Sequence, residues 1–469
     1  MKTMEEIKGL ASAGRYKRVP MSQEMYADQV TPVRLLRMLK HMNKRCCLFE
    51  SSGDPGQWGR YTYVGYDPVM EITCREGQVE LTRWEAKKKR AGKSGPKEEA
   101  SQNPEGAVAL EERIVQALSK EVALEEGVSQ EALMEAAASK ETGAERAFPA
   151  EGAVLKEKVA LEEGRPKEVL RRIWKDFTSP RVEGLPPFTS GFAGWASEDW
   201  KQYDLMLFDK VIAFDHFAQK LILMVSVDGK KLDKEYLRGE QELWRMERLI
   251  REGGECSMAS EDKLLDAYRV LRAKRPGPYM FYASGTRAEA AGASEGTFVR
   301  LRQGDVTAAF SSGKSPRGAT KKEDGRLERE LLADEKERAE HNLKVDLGRN
   351  SLGRVCRFNS MRTERYRSVE RDPYKQQLRS VYTAKLQRGL DSLDVLDAFL
   401  PAAVLLDASG NLDLCRMEGF LTSEQGKAVL HGLAPAAIDA VPVEMDPEAS
   451  SEEEYLLQAL ETAERGDGL

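Results

Sequence analysis

Apolar and polar positions follow two rhythms along this 469-residue chain. Short apolar or alternating runs bounded by Gly and Pro predict strands at CCLFES from Cys46, RYTYVGY from Arg60 and EITCREGQVEL from Glu71. The stretch MLFDKVIAFDHFAQKLILMVSVDGKK from Met206 reads as two strand runs with a short polar link. YMFYASG, GTFVRLRQG and DVTAAF, beyond Tyr279, return to the strand rhythm. Helical spacing governs TPVRLLRMLK, with Thr31 as N-cap and Pro32 first in the helix. It also governs Leu232 to Glu255, which ends on a Gly pair and reads as a connector between domains. A capping box of Thr320 and Glu323 opens one long helix with Leu327, Leu331, Ala339 and Leu343 inward, followed by a strand-like VDL at 345–347.

Composition interrupts this pattern between residues 85 and 164. Ala, Glu and Lys dominate there, Phe148 is the sole aromatic, and VALEE recurs at Val108, Val122 and Val159. So little apolar surface predicts an insert, part helical and part disordered, with no catalytic role. The net charge of −6, with both signs mixed, argues against a polyanion-binding surface and toward a small molecule or a protein as partner. No apolar run approaches the ~20 residues of a membrane helix, and MKTMEEIKGL lacks a signal-peptide core. Six cysteines without a CxxC pair fit a reduced, cytoplasmic protein and no zinc. Only His41, His216, His341 and His431 offer an imidazole for proton transfer.

The most suggestive chemistry lies in DEKERAEHNLKVDLGRN, from Asp334. Glu337 and Glu340, three apart on a helix, can share one side and hold a hard cation together with waters and an anionic substrate. The same spacing suits an ordinary charged face, which is the commoner use of such residues.

Several further motifs occur in order: YKRVP, LFES at Leu48 to Ser51, GRYTYVGYDP, LPPFTSGFAG, LMLFDKVIAFDHF, PYMFY at Pro278 to Tyr282 and PRGAT after Ser315. With DEKERAEH and VDLGRN they resemble anthranilate synthase component I, of the chorismate-utilising enzymes. The resemblance implies an α+β, two-part fold of large, mostly antiparallel sheets flanked by helices, its C-terminal part incomplete. Residues 1–84 and 165–235 would form a discontinuous N-terminal regulatory-type domain, 85–164 the insert, and 236–469 a chorismate-binding-type domain truncated near 401. It implies a lyase of tryptophan biosynthesis, turning chorismate and ammonia into anthranilate and pyruvate, with ammonia supplied by a glutamine amidotransferase subunit. Mg2+ would be held by Glu337, Glu340 and Glu454. Gly313, Lys314 and Arg416 would bind substrate, and Glu50, Ser51, Pro278, Tyr279 and Met280 would bind tryptophan as feedback ligand.

The resemblance breaks where chemistry is most demanding. The family's VERYSHVMHIVS reads VERDPYKQQLRS, so both histidine positions, at Tyr374 and Gln377, lack an imidazole. The PAGTxSGAPK segment is missing near Pro401, Pro435 stands in the loop that offers backbone donors, and Leu457 replaces the last acid, with Glu461 an alternative. These departures imply impaired or absent catalysis. The alternative is a non-catalytic protein of the same fold that binds tryptophan or the amidotransferase subunit.

Overall fold

Alternation of apolar residues builds two large sheets. The computed structural model describes residues 7, 9, 16–42, 45–51, 59–75, 78–85, 153–160, 166–197, 202–252, 263–274, 279–286, 289–294, 297–371, 375–400, 402–415, 420–422 and 440–442. The first sheet has nine strands, in the order β1 (Arg18–Tyr26), β10 (Lys220–Asp228), β9 (Lys210–Asp215), β3 (Tyr61–Tyr66), β2 (Cys46–Ser51), β11 (Tyr279–Ser284), β12 (Glu289–Ser294), β19 (Phe420–Thr422) and β20 (Ala440–Pro442). The second has eleven, in the order β15 (Arg362–Arg371), β16 (Lys375–Lys385), β14 (Asp305–Pro316), β13 (Thr297–Arg302), β18 (Leu412–Cys415), β17 (Ala402–Asp407), β7 (Gly191–Ala196), β8 (Gln202–Phe208), β4 (Met70–Arg75), β5 (Gln78–Glu85) and β6 (Ala153–Ala160). Among the described registers only β19 and β20 run parallel. The helices are α1 (Pro32–Met42), α2 (Pro166–Phe177), α3 (Leu232–Glu252), α4 (Lys263–Lys274), α5 (Lys321–Ala333), α6 (Glu335–Val355) and α7 (Ser392–Ala398). The architecture is thus α+β with antiparallel sheets and flanking helices. Residues 85–154 separate from the rest as a unit of their own, in which Glu85, Ala153 and Val154 alone are described.

The inner strands β2, β3, β9, β10 and β11 of the first sheet offer one row of side chains to helices and the other to the second sheet. Cys46, Leu48, Val64, Ile212, Leu223 and Tyr282 meet Leu35 and Leu39 of α1, Leu243 and Met246 of α3, and Leu265 and Tyr268 of α4. Their neighbours Cys47, Phe49, Tyr63, Val211, Ala213 and Phe281 meet Trp195, Met206, Phe208 and Leu405 of the second sheet. In β2 the alternation therefore sends Leu48 to the helices and Phe49 between the sheets.

Four details differ from the sequence reading. The run LMLFDKVIAFD is two strands, because the chain leaves the second sheet after Phe208 and enters the first at Lys210. Asp209, at the crossing, is buried, and its carbonyl accepts from Ser226 N at 2.7 Å. The long helix is broken at Asp334, whose side chain accepts from Lys336 N and Glu337 N at 2.9 and 3.1 Å and caps a new helix. That restart rotates the buried stripe to His341, Val345, Gly348, Leu352 and Val355, leaving Leu343 60% exposed, and it keeps VDL helical. Residues 153–160, read as part of the insert, form β6. Finally, α3, read as a connector between domains, packs against β10, with Leu243, Met246 and Ile250 buried. No helix among the described residues is long and apolar enough to cross a membrane.

Helix α6 lies close on β14, and a Cβ at Gly348 would fall among the ring carbons of Phe310. Gly348→Ala is expected to destabilise the fold by ~1–3 kcal/mol through overpacking, read as a lower urea midpoint. Adding Phe310→Leu should recover part of that loss, as coupled neighbours do.

Candidate functional site

At the centre of β14 the ladder with β16 slips between Ser312 and Lys314, so that Gly313 is the extra residue of a bulge. Its φ of +67° favours glycine, and a Cβ there would lie 2.9 Å from Glu337 Oε2. The missing side chain makes room for that carboxylate, half-buried in the first turn of α6. No hydrogen bond or ion pair engages it among the described residues. One turn on, Glu340 is exposed and bonded to Lys344 Nζ at 2.9 Å, which holds its carboxyl below the usual range. The two glutamates of the sequence motif thus sit in different settings, one over the bulge and one on the open face.

His341, beside Glu340 in sequence, points the other way. It is fully buried, with Nδ1 2.8 Å from Ser312 Oγ and Nε2 2.7 Å from Ser380 Oγ, and Ser380 Oγ also accepts from Arg367 N at 3.0 Å. Burial, aided by the nearby Arg367 and Lys344 charges, lowers its pKa to about 4, so the ring is neutral and donates at one nitrogen while accepting at the other. Both nitrogens are engaged, and the imidazole ties α6 to β14 and β16.

Lys314 is exposed and lies opposite Gln377 in the ladder. Gln377 is buried and faces Glu370 of β15, which also accepts from Arg379 Nη1 at 2.8 Å. Glu370 Oε1 and Gln377 Oε1 are buried with no partner in this structure. Sequence reasoning missed Glu370 and Arg379. The signal was present, since Gln377 and Arg379 are two apart on a strand and so share one face.

A second region lies between the sheets. A cavity of about 260 Å³ is lined by Tyr61, Tyr63, Phe188, Arg300, Asp407 and Asp413, among others. Arg300 donates to Asp413 Oδ1 at 3.1 Å and also bonds Tyr279 Oη, while Arg302 pairs with Asp413. Asp407 accepts from Thr189 N at 2.9 Å, and burial raises its pKa. The ladder sets Tyr279 opposite Ser51 and Met280 opposite Glu50. Pleating then divides this set. Tyr279 faces the second sheet, whereas Met280 faces the helices, and Glu50, its partner in the ladder, accepts from Arg272 Nε of α4 at 2.8 Å. Pro278, Tyr374, Arg416, Glu454, Leu457, Glu461 and the side chain of Ser51 lie outside the described residues.

Residues 255–408, which carry Gly313, Glu337, Gln377 and the cavity's Arg300, match the family model of the chorismate binding enzymes. The chain is 23% identical to anthranilate synthase component 1 of Acetivibrio thermocellus, over 98% of both chains. Over nearly its whole length the chain is thus similar to anthranilate synthase component 1, and within it lies the segment matched by the chorismate binding enzymes. It is 43% identical to the Aquifex aeolicus (strain VF5) protein of that name over 141 residues, 30% of this chain and 28% of the other. The crystal structure of anthranilate synthase component I from Streptococcus pneumoniae TIGR4 matches with a TM-score of 0.49 and 17% identity, covering 85% of this chain and 90% of that one.

Among the described residues no group of three or more His, Cys, Asp or Glu is arranged to hold a metal ion. Of the three carboxylates that the resemblance implies for Mg2+, Glu337 and Glu340 are described, the first unengaged among the described residues and the second paired with Lys344. Such a set suits a hard cation that keeps waters and shares a substrate anion.

His341→Phe replaces the ring by an apolar one, leaving the Ser312 hydroxyl buried without a partner and Ser380 Oγ with only the Arg367 N–H. We expect a loss of ~2–4 kcal/mol of stability by urea denaturation, about one to two kcal/mol for each hydroxyl that loses the imidazole. A change below ~0.5 kcal/mol, the range of neutral surface substitutions, would show that the imidazole does not hold helix and sheet together.

Proposed function

We propose that this chain binds chorismate at Gly313, Lys314 and Glu337, as an anthranilate synthase component I homologue of tryptophan biosynthesis in the cytoplasm. Its reaction would convert chorismate and ammonia to anthranilate and pyruvate, with ammonia supplied by a glutamine amidotransferase subunit. The observation that carries this reading is the unengaged Glu337 carboxylate over the Gly313 bulge, inside the segment matched by the chorismate-binding model. Glu337 and Glu340 would hold Mg2+, which when bound supplies fixed positive charge to a substrate carboxylate. Lys314, exposed and next in sequence to Gly313, would add a second cation for a dianionic substrate.

Proton transfer is the weak step. A carboxamide neither gives nor takes a proton near neutral pH, so Gln377 cannot serve as general acid or base. The ring of His341 is enclosed by two serines and unprotonated at that pH. We therefore expect calorimetry to show saturable chorismate binding that tightens with magnesium, and Glu337→Gln to remove the magnesium effect. Pyruvate release with ammonium should be slow, and Gln377→His should raise it at least tenfold, toward the ~10²–10⁴-fold span of acid–base catalysis. Absence of chorismate binding with or without magnesium would sink the reading.

The cavity favours a second reading, that the chain binds tryptophan between its sheets. Tyr61, Tyr63 and Phe188 offer aromatic walls to an indole ring, and Arg300 and Asp413 offer opposite charges to the carboxylate and ammonium of an amino acid. Titration with tryptophan should saturate, and Asp413→Asn should weaken it by about tenfold or more, as loss of a charge-assisted bond does. No saturation, or full affinity in the variant, removes this reading.

A further inference from the structure

The overall charge of −6 conceals a segregated one. Residues 349–388 carry eleven Lys and Arg against three Asp and Glu, so the remainder of the chain is more acidic than its total suggests. Five of those basic residues are drawn into pairs: Arg349 with Asp346 at 3.9 Å, Arg371 with Glu328, Arg379 with Glu370, Lys385 with Asp305, and Arg367 stacked on Tyr366. Four others, Arg354, Arg362, Arg365 and Arg388, are exposed and make no ion pair among the described residues.

Backbone contacts put these four on neighbouring segments at one end of the second sheet. Cys356 bridges to Leu386, Arg357 N donates to Lys385 O, and Gln387 N donates to Val355 O, which brings the end of α6 beside the turn that holds Arg388. Arg362 pairs with Thr383 on the next strand, and Arg365 follows in the slipped stretch of β15. In their midst the turn from Arg357 to Ser360 is closed by Ser360 N bonding Arg357 O at 3.1 Å, with Asn359 at φ +61°. At its tip Phe358 is 96% exposed. Two acids border the patch and both are engaged: Glu364 accepts from Thr383 Oγ1 at 2.8 Å, and Asp305 pairs with Lys385.

We propose that this turn and its ring of arginines form a docking surface for a protein partner that presents carboxylates around an apolar recess. Arginine's planar fork matches carboxylates in pairs, and a rigid aromatic amid arginines is the composition of an interface anchor. The closed turn holds Phe358 out before any partner arrives, which lowers the entropy lost on binding. A compact acidic rim fits better than nucleic acid. The patch is a knob without a groove, and a long polyanion running past it would meet the acidic remainder of the chain. Along β15 Arg362 stands about 25 Å and Arg365 about 16 Å from Glu370, so the surface is separate from the proposed chorismate site. Strand addition at this edge is disfavoured by the two register slips of β15, which leave the arginine side chains and Phe358 as the recognising groups.

The probe is a fluorescein-labelled peptide of Glu-Glu-Leu repeats, titrated with the full chain and followed by anisotropy. Saturable binding is expected, weakening steeply with added salt. Arg362→Glu with Arg365→Glu should weaken it by about tenfold or more, and Phe358→Ser severalfold, while Arg245→Glu on α3 should leave it unchanged. Unaltered urea midpoints and chorismate binding in these variants would show that fold and site are intact. The proposal is overturned if the peptide does not bind, if the double variant binds it as well, or if a single-stranded oligonucleotide of equal charge binds more tightly.

Discussion

Helix α6 rests directly on β14, and the site around Gly313 exists because two glycines permit that approach. Gly348 receives the edge of Phe310, and Gly313 leaves space for the carboxylate of Glu337. Between them His341 reaches into the sheet and joins Ser312 to Ser380. Glu337, His341, Val345, Gly348 and Leu352 follow one another at helical spacing along the stripe that faces the strands. The stripe is apolar and hydrogen-bonded along most of its length and ends in an unengaged carboxylate. A carboxylate placed at the end of a packed stripe is anchored by the fold on its backbone side, which is what a bound cation requires of its ligand.

Much of the architecture was legible in the sequence because period-two alternation is a local property. CCLFES, RYTYVGY and DVTAAF are strands, and Thr31 starts a helix. What escaped is set by contacts distant in sequence. Nothing local shows that the run through Asp209 changes sheets, since both halves are equally apolar and the division depends on which strands β8 and β9 find as neighbours. The break at Asp334 was available from its capping side chain, but the uninterrupted helical spacing around it masked the restart.

The candidate site was legible only in part, and pleating explains the limit. Resemblance brought Glu50, Tyr279 and Met280 together, and the ladder of β2 with β11 does set them side by side. Whether adjacent residues face the same space is a separate question, and alternation turns Met280 away from Tyr279 while Arg272 engages Glu50. Strand alternation puts Arg379 on the face of Gln377, but only the register of β15 with β16 brings Glu370 to them, and no local pattern fixes that register. Their pairing fills part of the space with a buried ion pair that a new side chain at 377 would have to accommodate.

The crossing at Asp209 bears on motion as well as on topology. Strands β8 and β9 are a single length of backbone shared between two sheets, and its carbonyl is bonded to Ser226 in the middle of that shared length. A hinge needs a few residues free to change their dihedral angles, and here the only joint between these strands is one buried, hydrogen-bonded residue. The sheets therefore cannot open like the covers of a book along this seam. Any adjustment to an occupant of the cavity must come from side chains such as Phe188 or Arg300, or must be passed as strain along the common strand, making the two layers one elastic body.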